Sequence, residues 1–241
     1  TEFCKQLGID VPIFAFTHCR DVVVAVSKAG GIGVLGAVGY SPEQLKEELD
    51  WIDEHIGDHI YGVDTAIPQK YEGMEKTSAA ELVEMLNAAI PQEHRDFAEK
   101  MLKDAGVPEW PEKDDDVTLS FSAVQAQALV DEALTRPQCR MIVNALGTPP
   151  ADIIKQVHDS GRLIGALAGR LKHGIAHKEA GLDFVVCQGS EGGGHAGEVT
   201  SMVLWPQMVD ALDGLPVLAA GGIGNGRQML AAMSMGASGV W

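Results

Sequence analysis

The stretch RLIGALAGRLKHGIAHKEAGLDFVVCQG, residues 162–189, decides the fold. It holds an apolar run (162–169), a helix-patterned segment and a second apolar run (182–189), each too short to be anything but one element. A chain that leaves a strand through a helix and returns to a second strand lays the two strands parallel, with the helix covering one face. Neither run alternates apolar with polar residues, so both faces of the sheet are expected to be covered.

Working outward, the same unit recurs along the chain. VPIFAF (11–16), GIGVLGAV (31–38), YGVDTAI (61–67) and RMIVNAL (140–146) precede it, LPVLAAGG (215–222) follows it, and GASGVW (236–241) opens an eighth strand. RDVVVAVSKAG (20–30) reads as a helix stopped by glycine, and Ser41 with Pro42 supplies an N-cap and first-turn proline for the next one. Eight such units predict an α/β fold of the (β/α)8 TIM barrel type in preference to an open doubly wound sheet. Because the sequence stops at Trp241, the barrel is expected to be cut off near the start of strand 8. Residues 68–117 interrupt the rhythm with helical patterns and no strand. They predict a helical insertion after strand 3, at the barrel mouth, within a single domain spanning 1–241; a substrate lid and a solvated appendage are both open readings.

Composition narrows the function. Asp and Glu number 34 against 18 Lys and Arg, a net charge of −16, so the average field repels phosphate backbones and anionic lipid and argues against nucleic-acid and membrane partners. Cys4, Cys19, Cys139 and Cys187 lie far apart, without a CxxC pair or a cluster with histidine, which points away from disulfide scaffolds and metal knuckles. The opening TEFCKQLGID lacks the basic and apolar regions of a signal peptide, and no apolar run approaches membrane-spanning length. The compartment expected is the cytoplasm, with no bound metal.

Glycine clusters mark the chemistry. GIGVLG (31–36) has the letters of a dinucleotide fingerprint, but its glycines fall inside a strand instead of between strand and helix, where a pyrophosphate would sit. AAGGIGNGRQML (219–230) does place glycines between an apolar strand and a helix, with Asn225 near the cap, as a backbone cradle for phosphate requires. QGSEGGGHAG (188–197) again follows a strand. There Gln188 can donate to and accept from a heteroaromatic edge, Gly192, Gly193 and Gly194 let a flat ring approach backbone, and His195 stands at the rim as an acid or base.

VVCQGSEGGGHAGEV (185–199) and LPVLAAGGIGNGRQMLAAMSMGASGVW (215–241), in that order, resemble the nitronate monooxygenase family, formerly called 2-nitropropane dioxygenases, which are FMN-dependent TIM barrels. PIFAFTHCRDVVVAVSKAGGIGVLGA (12–37) and LKHGIAHKEAGLDFVVCQG (171–189) extend the likeness over nearly all the chain outside the insertion. The resemblance implies flavin contacts at Ala15 and Phe16, Gln188, Gly193 and Gly194, and a phosphate cradle at Gly221 and Gly222. It also implies a flavin contact at Asp64, where the family usually has Asn; an ionised carboxylate there would oppose an electron-rich reduced flavin. His195 matches the family's active-site histidine. The implied reaction takes an alkyl nitronate, or a nitroalkane after loss of its Cα proton to His195, and with O2 yields a carbonyl compound and nitrite through electron transfer to FMN and reoxidation by oxygen. FMN barrels that take hydride from NAD(P)H for a quinone or an enoyl thioester look similar, and a non-catalytic barrel binding a phosphorylated ligand is a third possibility; a monomer and a homodimer are equally compatible.

Other residues carry blander readings. His173 and His177, four apart on one helix, are expected at the surface, because two imidazoles without a third ligand make no metal site. His18 and Cys19 follow the first strand and are expected to line the pocket. Cys187 reads as a small buried hydrophobe, and the methionines from Met229 to Met235 as core of the helix after strand 7.

Overall fold

A computed structural model describes residues 1–68, 84–85, 87–108 and 123–241. Eight parallel strands form one sheet in the order β1 to β8: β1 (Phe14–Thr17), β2 (Ile32–Gly36), β3 (Tyr61–Thr65), β4 (Cys139–Asn144), β5 (Leu163–Ala168), β6 (Phe184–Gln188), β7 (Val217–Ala220) and β8 (Gly239–Val240). The Val240 N–H donates to the Pro12 carbonyl at 2.9 Å, and Val240 bridges Ile13 in parallel sense. The last strand thereby meets the first, and the eight form a (β/α)8 barrel.

Helices α2 (Arg20–Lys28), α3 (Pro42–Ile56), α5 (Ala123–Leu134), α6 (Ala151–Asp159), α7 (Leu171–Glu179), α8 (Ser201–Leu212) and α9 (Gly226–Ser234) connect the strands. Ser41 begins α3 with a full capping box, its hydroxyl accepting from the Gln44 N–H while the Gln44 side chain accepts from the Ser41 N–H. The glycine-rich run 31–36, read as a strand, forms β2 from Ile32 onward, and packing explains its glycines. A Cβ on Gly33 would stand 2.4 Å from the Val23 carbonyl oxygen, so glycine there lets α2 press directly on the sheet.

Inside the barrel, Phe14, Ile32, Val34, Met141, Val143, Phe184 and Leu218 fill the space between the strands. One contributor was not legible in the sequence. A short helix, α1 (Glu2–Leu7), carries Phe3 into the interior, where its ring lies 5.7 Å from both Phe14 and Phe184. At the same end, Arg136 bonds Asp50, Asp53 and Glu132, and Tyr61 donates to Asp53.

Of the 68–117 segment the described part includes a helix, α4 (Gln92–Asp104), none of whose residues is buried. The remaining described positions of that segment are 68, 84–85, 87–91 and 105–108; the rest of it, with the EKDDD run, lies outside the described residues. No helix among the described residues is long and apolar enough to cross a membrane.

Candidate active site

A cavity of about 1230 Å³ opens where the strands end at their carboxyl termini. The candidate site positions line it together: Ala15 and Phe16 from β1 and Asp64 from β3, which the resemblance implied, Gln188, Gly193, Gly194 and His195 from the β6 end and the loop beyond it, and Gly221 and Gly222 after β7. Among the described residues no Lys or Arg lines it.

The loop after β6 is shaped by a division of labour among its glycines. A Cβ on Gly189 would fall 2.1 Å from Ser201 Oγ, one on Gly192 2.4 Å from Gln188 Nε2, and one on Gly197 2.6 Å from the Gly169 carbonyl oxygen. Those three exist because the loop is pressed against its neighbours. Gly193 and Gly194 differ, since a Cβ on either would meet nothing within 4 Å, and they leave bare backbone on the cavity wall. Gln188 donates from Nε2 to the Gly193 carbonyl at 3.2 Å, so part of its amide serves the loop and its oxygen stays available to the cavity. His195 is exposed at the rim.

Two residues outside the sequence reading stitch this loop to the next. The Glu191 carboxylate accepts from the Ser201 N–H and the Ser201 hydroxyl, both at 2.8 Å, at the start of α8, where a negative charge is favoured by the helix dipole. These bonds lower the pKa of Glu191. Ser201 Oγ also lies 2.9 Å from the Gly221 carbonyl oxygen, and the buried Trp205 N–H is shared between the Cys187 and Ala220 carbonyls at 3.1 Å each. Gly221 and Gly222 have φ of 101° and 77°, a backbone that side chains with a Cβ disfavour. Asn225 then caps α9 by accepting from the Arg227 and Gln228 N–H groups, which leaves the first helical N–H, at Gly226, beside the cavity.

On the opposite wall Phe16 is 44% exposed, edge-on to His18 and stacked with Trp241 at 6.4 Å. Asn144, also missed, ties the ends of β3 and β4 together, accepting from the Ile67 N–H at 2.7 Å and donating to the carbonyls of Ile67 and Gly147. Asp64, between them, is 2% exposed, and its carboxyl has no hydrogen bond or ion pair to any described residue. Burial alone pushes that carboxyl well above the usual carboxylate range.

The model of one family, nitronate monooxygenase, matches residues 9–241. The chain belongs to the nitronate monooxygenase family. It is 46% identical over its whole length to a Mycobacterium tuberculosis protein with a provisional monooxygenase name, of which it covers 64%. A Staphylococcus saprophyticus protein provisionally named nitronate monooxygenase is 31% identical over the whole chain and is covered to 66%. The chain thus spans just under two thirds of the length of these relatives. Nitroalkane oxidase from Streptomyces ansochromogenes shares the fold, with a TM-score of 0.73 at 24% identity, over 98% of this chain and 65% of that one.

Within this nitronate monooxygenase-family barrel, some readings need correction. His18 and Cys19 do not line the cavity: His18 Nδ1 bonds the Gly36 carbonyl at 3.2 Å behind Phe16, and Cys19 is exposed at the start of α2. His177 is not at the surface but 1% exposed, bonded to Thr148 Oγ1 at 2.9 Å and to the Leu167 carbonyl at 3.0 Å, and burial lowers its pKa. Met229 and Met235 are half-buried and pack against the core cluster that holds Ala232, the buried residue of α9, in keeping with their reading as core, and Met229 also borders the cavity. Cys187 is buried, as expected, and burial pushes its thiol up to about 12. Among the described residues no three His, Cys, Asp or Glu side chains are grouped to hold a metal ion.

Proposed function

We propose that the cavity binds FMN and that the protein oxidises alkyl nitronates, and nitroalkanes after deprotonation, with O2 to a carbonyl compound and nitrite. The observation that carries this reading is the bare wall at Gly193 and Gly194, with His195 at its rim, in a chain of the nitronate monooxygenase family.

The residues present fit a flavin mononucleotide. A flat ring is favoured by backbone approach without Cβ atoms in the way; Gly193 supplies it where neither packing nor a left-handed backbone asks for glycine, and Gly194, whose φ of 67° itself favours glycine, continues the same wall. Phe16 and Ala15 border the other side, and the polar edge of a ring can be met by the Gln188 oxygen and by Asp64. A phosphate in a cavity that no described Lys or Arg lines needs backbone N–H donors, which Gly221, Gly222 and the uncapped Gly226 N–H of α9 would give. When bound, FMN supplies the electron acceptor that links substrate oxidation to O2.

The chain's own part is placement and proton handling. His195 has no hydrogen bond to a described residue, so both ring nitrogens are free to meet a small substrate. As neutral imidazole it takes the Cα proton of a nitroalkane; as imidazolium it orients a nitronate, which arrives already an anion. The Glu191–Ser201 bonds hold the histidine's loop against the Gly221 loop, so both walls keep their spacing. His195→Asn tests the assignment. FMN affinity, read by flavin fluorescence, stays unchanged, while kcat/KM for a neutral nitroalkane falls by roughly 10²–10⁴-fold and that for its nitronate falls far less. Equal effects on both substrates would remove the base role.

A further inference from the structure

Asp64 brings an acid into the cavity with nothing to balance a charge. It lines the cavity, is 2% exposed and makes no hydrogen bond or ion pair with a described residue. Its strand neighbours offer no compensation. In register, β2 presents Gly36 and β4 presents Val143. The adjacent Asn144 spends its amide on Ile67, Leu146 and Gly147. Behind β2, His18 is held by the Gly36 carbonyl.

Asp50, Asp53, Glu132 and Arg136 gather at the other end of β3, around Tyr61, and Arg20, which begins α2, is paired with Glu48 at 3.1 Å. Across the cavity stand His195 at the rim and Glu191, a like charge already engaged by Ser201. An ionised carboxylate left bare in such a place is strongly disfavoured, whereas a neutral acid costs far less and carries one O–H donor beside one carbonyl acceptor.

We propose that Asp64 works as a neutral carboxylic acid that donates its O–H to an acceptor on the bound flavin, and that ionisation of Asp64 expels the cofactor. The inference rests on the flavin reading above. The protonated side chain gives the ring a donor; the ionised one offers acceptors only, together with a negative charge against a ring that gains electrons in turnover. Burial, which pushes the carboxyl well above the usual range, places the switch on the alkaline side of an ordinary aspartate. Linkage fixes the form of the effect: above the pKa of Asp64 in the free protein, the FMN dissociation constant rises about tenfold per pH unit.

The test titrates FMN into the protein and into Asp64→Asn across neutral and alkaline pH by fluorescence. The infrared difference between the two proteins without flavin is recorded over the same range. The expected result is a break in the wild-type dissociation constant that the Asn variant lacks. The band of a protonated carboxyl should be present below that break, lost above it and shifted when FMN is added. Ionisation of FMN itself is common to both proteins and cancels in the comparison. Parallel pH profiles, or a carboxylate band throughout the neutral range, would overturn the inference and leave the flavin reading standing. Failure of both proteins to bind FMN at any pH would remove the flavin reading and this inference with it. Should the Asn variant not fold, the carboxyl band of the wild type with isotope-labelled aspartate decides alone.

Discussion

Replacing Asp64 with Asn should make the protein more stable, by an amount that grows with pH. The substitution keeps size and shape, so it opens no cavity and adds no clash. It removes the one feature that sets this residue apart: a carboxyl 2% exposed, without a partner among the described residues and with its pKa raised by burial alone. In the unfolded chain an aspartate titrates near about 3.9. A group whose folded pKa lies above its unfolded value contributes stability that is fully present below the unfolded pKa and is lost as pH rises toward the folded one. Between those two values the wild type therefore loses about 1.4 kcal/mol per pH unit relative to Asn, and the difference levels off once pH passes the folded pKa. Urea denaturation of both proteins without flavin, at pH values from about 4 upward, reads this as a widening gap between midpoints. Every other titrating group is shared and drops out of the difference. A gap that stays constant with pH, or one favouring the wild type more as pH rises, would show that Asp64 does not titrate above its unfolded value.

Two glycines should respond in opposite ways. Gly165→Ala puts a Cβ 2.3 Å from the Phe184 ring in the barrel interior and should cost about 1–3 kcal/mol by urea or thermal denaturation; an unchanged midpoint would mean that the ring can yield. Gly193→Ala meets nothing within 4 Å and should leave stability within about 0.5 kcal/mol of wild type while weakening FMN binding in a fluorescence titration. Unchanged affinity would show that bare backbone at that wall is not what the cofactor uses.

Much of this architecture was legible because strand, glycine and helix alternate with little else between them. The β5–α7–β6 unit shows why: its strands are apolar on both faces, so they can only be parallel and covered, and periodicity alone says so. The same reasoning located the cavity, because glycines directly after β6 and β7 fall at the carboxyl ends of barrel strands. It did not reveal α1, whose six residues are too few for a periodic signal and whose value lies in Phe3 reaching Phe14 and Phe184 across the chain.

Nor could it separate the glycines that pack from those that expose backbone. Gly192 and Gly193 are identical in sequence terms and differ only in whether Gln188 stands beside them. His177 was misjudged because its burial depends on partners, Thr148 and Leu167, that come from other elements. Asp64 could be read only as an acidic letter on a strand. Desolvation, which decides whether that letter carries charge, is a property of the assembled barrel.

We propose that this cavity couples nitronate oxidation to O2 through FMN. The most direct test is anaerobic mixing of the FMN-loaded protein with an alkyl nitronate, and separately with NADH and NADPH, while flavin absorbance is followed. Rapid bleaching by the nitronate and little response to either nucleotide are expected. Rapid bleaching by a nucleotide with the nitronate inert would contradict it and make the protein a flavin reductase whose electron acceptor must then be sought.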